Sequence, residues 1–139
     1  MPFLFDTNHC IYLLNGLEKK AAFRSDQERN VIKNVRSLED EIYISEVTLG
    51  ELFYGAFGSQ RKDHNLKRIE ILKDIVLPVP VDETVWELFG ETKANFKSQG
   101  KKFTDFDLLI GCTALAYGFV LVTNDAHFEL LDAPKENWA

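Results

Sequence analysis

Short apolar runs alternate with amphipathic stretches along almost the whole chain. Four runs read as strands: Pro2–Asp6, Glu41–Ser45, Ile75–Val81 and Phe119–Thr123. Each is brief and rich in β-branched or aromatic residues. Pro78 and Pro80 lack N–H donors, which predicts an edge position or a strand end for the third strand. The stretches between carry helical spacing. Residues 9–15 form a short helix stopped near Gly16. Residues 18–38 are charged, with Ala21, Ala22, Phe23, Val31, Ile32, Val35 and Leu38 spaced as in surface helices. Ser45 is placed to cap a helix over 46–57, and another helix covers 62–74. Residues 83–99 are amphipathic around Val85, Trp86, Phe89 and Phe96, and Gly100 closes them. The helix over 105–117 differs, being apolar on nearly every side. Thr104 and Asp107 open it as a variant capping box, and Gly118 ends it. A helix of that kind belongs at the centre of a molecule. The run Phe119–Thr123 is likewise continuous, as in a strand covered on both faces. Strands separated by helices predict an α/β fold: a three-layer α/β/α sandwich around a mainly parallel sheet, in one domain over 1–139.

Composition agrees with that fold. A chain of 139 residues, 45% apolar, buries an adequate core without disulfides or metal staples. Its two cysteines, Cys10 and Cys112, sit in apolar helical contexts and read as buried free thiols, which suits a reducing, cytoplasmic setting. No apolar run reaches the roughly 20 residues of a membrane helix, and no signal peptide opens the chain. The net charge of −6 argues against a nucleic-acid partner when taken alone. The positions of the acids alter that reading.

Asp6 follows Phe3-Leu4-Phe5, and Asp125 follows Val120–Asn124, so both lie just past the C-terminal end of a buried strand. In open α/β sheets ligands bind at that edge. Glu51 has Val47, Tyr54 and Gly55 as its helical neighbours, an apolar surrounding costly for a lone carboxylate. Gly50 and Gly55 predict the close approach of another element. Asp107 opens the apolar helix between Phe106 and Leu108, with Asp105 two residues before it. Each acid has a local explanation as a cap, a turn residue or a tilted surface residue. Together, two strand ends and two early helix positions converge on one cleft. Carboxylates gathered there repel unless a divalent cation joins them, and oxygen-only ligands suit Mg²⁺ or Mn²⁺ better than zinc.

The stretches F-L-F-D-T-N (3–8), S-E-V-T-L-G-E-L-F-Y-G (45–55), D-F-D-L-L-I-G-C-T-A-L-A-Y-G (105–118) and L-V-T-N-D-A-H-F (121–128) resemble, in order and spacing, the PIN-domain ribonucleases. Within that family they are similar to the VapC-type toxins of prokaryotic toxin–antitoxin pairs. The resemblance carries Asp6, Glu51, Asp107 and Asp125 onto the family's catalytic and metal-binding acids. Asn8 and Thr123 match its polar surround, and Asp105 is auxiliary. It implies metal-dependent hydrolysis of RNA phosphodiesters with Mg²⁺ or Mn²⁺, an inhibitory VapB-like antitoxin and a homodimer. The 18–40 segment is longer and more charged than in small members.

With four acids committed to cations, basic groups remain for RNA. Arg61, Lys62, Lys67 and Arg68 flank one helix. Lys93, Lys97, Lys101 and Lys102 lead into Asp107, and Lys101 and Lys102 are the substrate-binding candidates. His9 and His127 are read as structural or surface residues. Two rival readings exist. A haloacid dehalogenase-like phosphohydrolase also begins with an apolar strand and Asp, but needs a second acid where Asn8 stands. A catalytically inactive PIN-like binding module would keep the pocket without turnover.

Overall fold

The computed structural model describes residues 2–139. Its strands are β1 (Phe3–Phe5), β2 (Ile42–Ser45), β3 (Leu77–Val79), β4 (Val120–Val122) and β5 (Lys135–Glu136). Its helices are α1 (Thr7–Glu18), α2 (Asp26–Ser37), α3 (Glu46–Phe57), α4 (Lys62–Ile75), α5 (Glu83–Ser98) and α6 (Asp105–Tyr117), with 3₁₀ turns at Ala21–Phe23 and Ala126–Leu130. The strands form one sheet in the order β3-β2-β1-β4-β5, and every pairing is parallel. The expected α/β architecture is present.

Alternation along β1 divides the core in two. Leu4 faces Leu108, Ile110, Cys112 and Phe128 on the side of α5 and α6. Phe5 faces Cys10, Leu13, Val31 and Leu72 on the side of α1, α2 and α4. β4 is buried along its whole length, as its unbroken apolar run requires. Both cysteines are buried free thiols.

Chain order sets the position of the cleft. From β1 the chain steps to β2 and β3 on one side, then returns to place β4 on the other side of β1. The crossovers on the two sides run in opposite directions, so a crevice opens past the C-terminal ends of β1 and β4. Asp6 and Thr123 are the next residues after those ends.

Several local expectations need correction. The first helix runs from Thr7 to Glu18 rather than over 9–15, and Gly16 lies within it. A Cβ on Gly16 would come within 2.5 Å of Ile32 Cδ1, so this glycine lets α2 pack tightly on α1 rather than ending the helix. The 18–38 stretch holds the end of α1, a 3₁₀ turn and α2. Ser25 and Glu28 form a reciprocal capping box that starts α2 afresh after a 3₁₀ turn. Gly50 and Gly55 meet no other element within 4 Å of a built Cβ, so the expected close approach is absent. β3 is confined to Leu77–Val79 and does lie at the sheet edge, where Pro78 forfeits no ladder bond to a further strand. The turn at 126–130 and the two-residue β5 carry too few residues for a periodic signal.

Candidate active site

Asp6 is anchored first by its backbone. Its N–H donates to Val122 O (3.1 Å), which holds the residue at the end of β1 beside β4. Its side chain caps α1: Oδ1 accepts from His9 N (2.8 Å) and also meets His9 Nδ1 (3.0 Å). Oδ2 accepts from Thr123 Oγ1 (2.7 Å). The residue is only 4% exposed. An ionised carboxylate has about four acceptor positions. Three are taken here, and the open one is on Oδ2, the oxygen shared with Thr123.

Glu51 reaches the same edge from α3. Its Oε1 accepts from Thr7 Oγ1 (2.7 Å), and Thr7 Oγ1 lies 3.2 Å from Thr48 Oγ1. With the Thr7 proton directed at Glu51, Thr48 donates to Thr7, and the two hydroxyls form a chain ending on the carboxylate. Burial raises the Glu51 carboxyl above its usual range. The charges of Asp107 and Asp6 raise it further, against the opposing pull of the Thr7 bond. Asp107 is half-buried in the first turn of α6, where its N–H donates to Thr104 Oγ1 (3.3 Å). Among the described residues no Lys or Arg forms an ion pair with Asp6, Glu51 or Asp107.

Asp125 joins this group indirectly. Its N–H donates to Thr123 Oγ1 (3.0 Å), the hydroxyl that bonds Asp6. Its own Oδ1 accepts from His127 N (2.9 Å) and caps the 126–130 turn. It lines a separate recess with Thr123, Asn124, Glu129 and Lys135. The structure therefore brings Glu51 within electrostatic reach of both Asp6 and Asp107 and ties Asp125 to Asp6 through one hydroxyl. Among the described residues no three acidic, His or Cys side chains stand ready in chelating position.

The auxiliary residues divide. Asn8 is exposed and lines, with Thr7, Glu51, Asn65 and Arg68, a groove of about 430 Å³ between α1, α3 and α4. Arg68 is not free, since it bonds Asn15 Oδ1 (2.5 Å) and pairs with Glu18 (3.2 Å). Asp105 is exposed and turned to Lys93 (2.8 Å). Two residues along a helix differ by about 200° in direction, so Asp105 and Asp107 serve different sides of α6. Lys102 lines a recess of about 270 Å³ with Phe103, Thr104, Asp107 and His127. Lys101 sits 5.6 Å from the Phe96 ring centroid and faces a neighbouring recess.

Three residues of this neighbourhood were not among the sequence-based candidates: Thr7, Thr48 and, in contact with Asp6, His9. The clue for His9 was a polar ring directly ahead of the apolar run Cys10–Leu14 in α1. It is fully buried, as a structural histidine would be, but its partner is the candidate ligand itself.

The PIN domain family model matches residues 3–134. Ribonuclease VapC1 of Haemophilus influenzae strain R2866 is 33% identical over 140 residues, covering 99% of this chain and 98% of that protein. The tRNA(fMet)-specific endonuclease VapC of Shigella flexneri is 30% identical over 141 residues, covering 100% and 99%. Among solved structures, VapBC-1 from nontypeable Haemophilus influenzae superposes with a TM-score of 0.84 at 29% identity, covering 99% and 98% of the two chains. VapBC2 from Rickettsia felis, bound to a promoter DNA fragment, superposes at 0.83 and 26% identity over the full length of both.

Proposed function

The chain belongs to the PIN-domain family, and on that premise we propose that it is a VapC-type toxin: a metal-dependent endoribonuclease that cuts structured RNA such as tRNA and is held inactive by a small VapB-like antitoxin. The observation that carries the reading is the acid cluster, in which burial, and after it the charges of Asp107 and Asp6, raise the Glu51 carboxyl above its usual range, while among the described residues no Lys or Arg ion-pairs with it. That electrostatic shortfall, together with an all-oxygen donor set, fits Mg²⁺ or Mn²⁺. Asp6, Glu51 and Asp107 would hold the ion, with Asp125 as a further acid linked through Thr123. When bound, such an ion neutralises phosphate charge and activates water.

The chain's own residues divide the remaining work. Asp6 is immobilised by three hydrogen bonds and presents one open acceptor position. Thr7 and Thr48 orient Glu51. Asn8 offers an exposed amide to the nucleic-acid backbone in the adjoining groove. Lys102, beside Asp107, and Lys101 supply positive charge for flanking phosphates. On α3, exposed Tyr54 and Phe57 provide apolar surface for an antitoxin or a second copy of the chain. No helix among the described residues is long and apolar enough to cross a membrane. Its buried free thiols suit a reducing compartment, which supports a cytoplasmic location.

Purified protein is expected to cleave tRNA in Mg²⁺ or Mn²⁺, to stop when a chelator is added and to resume when metal is restored. Cleavage that persists in the chelator would contradict the metal assignment. Hydrolysis of a generic phosphomonoester without RNA cleavage would favour the phosphohydrolase alternative. Inertness toward any RNA would favour the binding module.

A further inference from the structure

His9 is fully buried and takes no part in the chemistry proposed above. Its ring lies between two partners. Nδ1 is 3.0 Å from Asp6 Oδ1, and Nε2 accepts the backbone N–H of Trp138 at 3.4 Å. A main-chain N–H can only donate, so Nε2 must be the lone-pair nitrogen and the ring proton sits on Nδ1, donating to Asp6. The opposite tautomer would set N–H against N–H on one side and a lone pair against a carboxylate on the other. The ring is boxed in as well. Tyr12 meets it edge-on at 5.7 Å, Phe5 leans on it at 5.7 Å, and Trp138 stands edge-on to Phe5 at 5.3 Å.

The same short segment also reaches the other carboxylate oxygen. Through the pairing of β5 with β4, Glu136 O accepts the N–H of Thr123 (2.9 Å), and Thr123 Oγ1 donates to Asp6 Oδ2 (2.7 Å). Both residues whose side chains hold Asp6 are thus held in turn by residues 135–139, a segment more than a hundred positions from Asp6 in sequence. A histidine needed only for packing would not require this, because a phenylalanine fills an aromatic box without any hydrogen bond.

We infer that residues 135–139 form a positioning strap for Asp6: Trp138 sets the tautomer of His9, Glu136 sets the place of Thr123, and together they aim the carboxylate at the cation. The inference rests on the metal-dependent reading proposed above. His9 is a positioning residue that acts through Asp6 and touches neither substrate nor ion. Partners that orient a metal ligand in this way are commonly worth 10–100-fold in affinity or activity.

The first test needs neither metal nor RNA. In wild-type protein labelled with ¹⁵N-histidine, long-range ¹H–¹⁵N correlation reports the tautomer of His9, identified by the signal missing in either His9→Phe or His9→Gln. The Nδ1–H form is expected, and an Nε2–H form overturns the inference. The second test titrates Mn²⁺ calorimetrically into wild type, His9→Phe and His9→Gln. His9→Phe is expected to bind about 10-fold more weakly and to lose kcat with KM unchanged. His9→Gln, which restores an N–H donor, should recover part of both. Equal Mn²⁺ affinity and equal kcat in wild type and His9→Phe would defeat the strap alone. A wild type that binds no Mn²⁺ would defeat the metal reading and the strap with it. If His9→Phe fails to fold, the wild-type tautomer and the comparison of His9→Gln with wild type still decide the matter.

Discussion

Glu28 on α2 and Glu51 on α3 are the same side chain in two regions of one chain, and their surroundings act on them in opposite directions. Glu28 is 4% exposed. It receives the Ser25 N–H (2.8 Å) on Oε1, and Lys19 Nζ lies 3.0 Å from both of its oxygens. Burial pushes its carboxyl up, but the Ser25 bond and the Lys19 charge pull it down by more, so it ends below the usual range. Glu51 also suffers burial, but it has one hydroxyl donor and two negative neighbours, and it ends above the usual range. A carboxylate that serves the fold is supplied with donors on every side. A carboxylate at the sheet edge is left short of positive charge, which is a cost to the metal-free fold and an asset for holding a cation.

The largest expected effect is at the acidic edge. Asp6→Asn should lower RNA cleavage at least about 100-fold, since loss of even an outer partner of a metal ligand costs 10–100-fold. Its melting temperature should stay close to that of wild type, because an Asn oxygen still accepts the His9 N–H. Cleavage kinetics beside thermal melts would show this, and undiminished cleavage would remove Asp6 from the site.

The next effect is at the structural corner. Glu28→Ala removes half of a capping box and a buried, charge-assisted bond, so it should cost about 1–3 kcal/mol in urea unfolding. Its activity per folded molecule should hold. The pH dependence follows from the direction of the shift. The folded carboxyl is the stronger acid, so Glu28 contributes stability above the unfolded carboxyl's pKa, about 4.3, and loses it as pH falls through the folded value. Glu28→Gln should therefore flatten the acid limb of the stability curve.

The smallest effect has the opposite sign. Glu51→Gln should stabilise the metal-free protein by about 0.5–1 kcal/mol at neutral pH while lowering cleavage. The folded Glu51 carboxyl is the weaker acid, so the fold loses stability as pH rises past the unfolded value and carries the full penalty above the folded one. An uncharged Gln escapes that penalty and can still accept the Thr7 hydroxyl. Chelator-treated wild type and variant melted side by side give the answer. If Glu51→Gln destabilises as Glu28→Gln does at neutral pH, the contrast between the two regions fails.

Legibility in the sequence followed the range of each interaction. Ser45 and Thr104 cap the helices they were expected to cap, and Gly118 closes α6 with φ of 72°, because caps are decided within a few residues. The parallel sheet was readable from short strands alternating with helices. The candidate acids drew notice because a carboxylate at a strand end or on an apolar helix face is locally odd. Gly16 misled because its reason lies on α2, in Ile32, rather than in its own helix. Asp105 and Asp107 were hard to separate by spacing, whereas Lys93 on α5 claims one and leaves the other to face Glu51.

By itself, then, the sequence determined the four longer strands, the caps at Ser45, Thr104 and Gly118, the apolar character of α6 and which acids stand at locally odd positions, all of them consequences of period, propensity and local chemistry. Only the tertiary structure decided the strand order that opens the crevice at β1, the Thr7–Glu51 bond across 44 positions and the His9–Trp138 bond across 129. Those depend on which distant surfaces bury one another, and neither periodicity nor composition encodes that pairing.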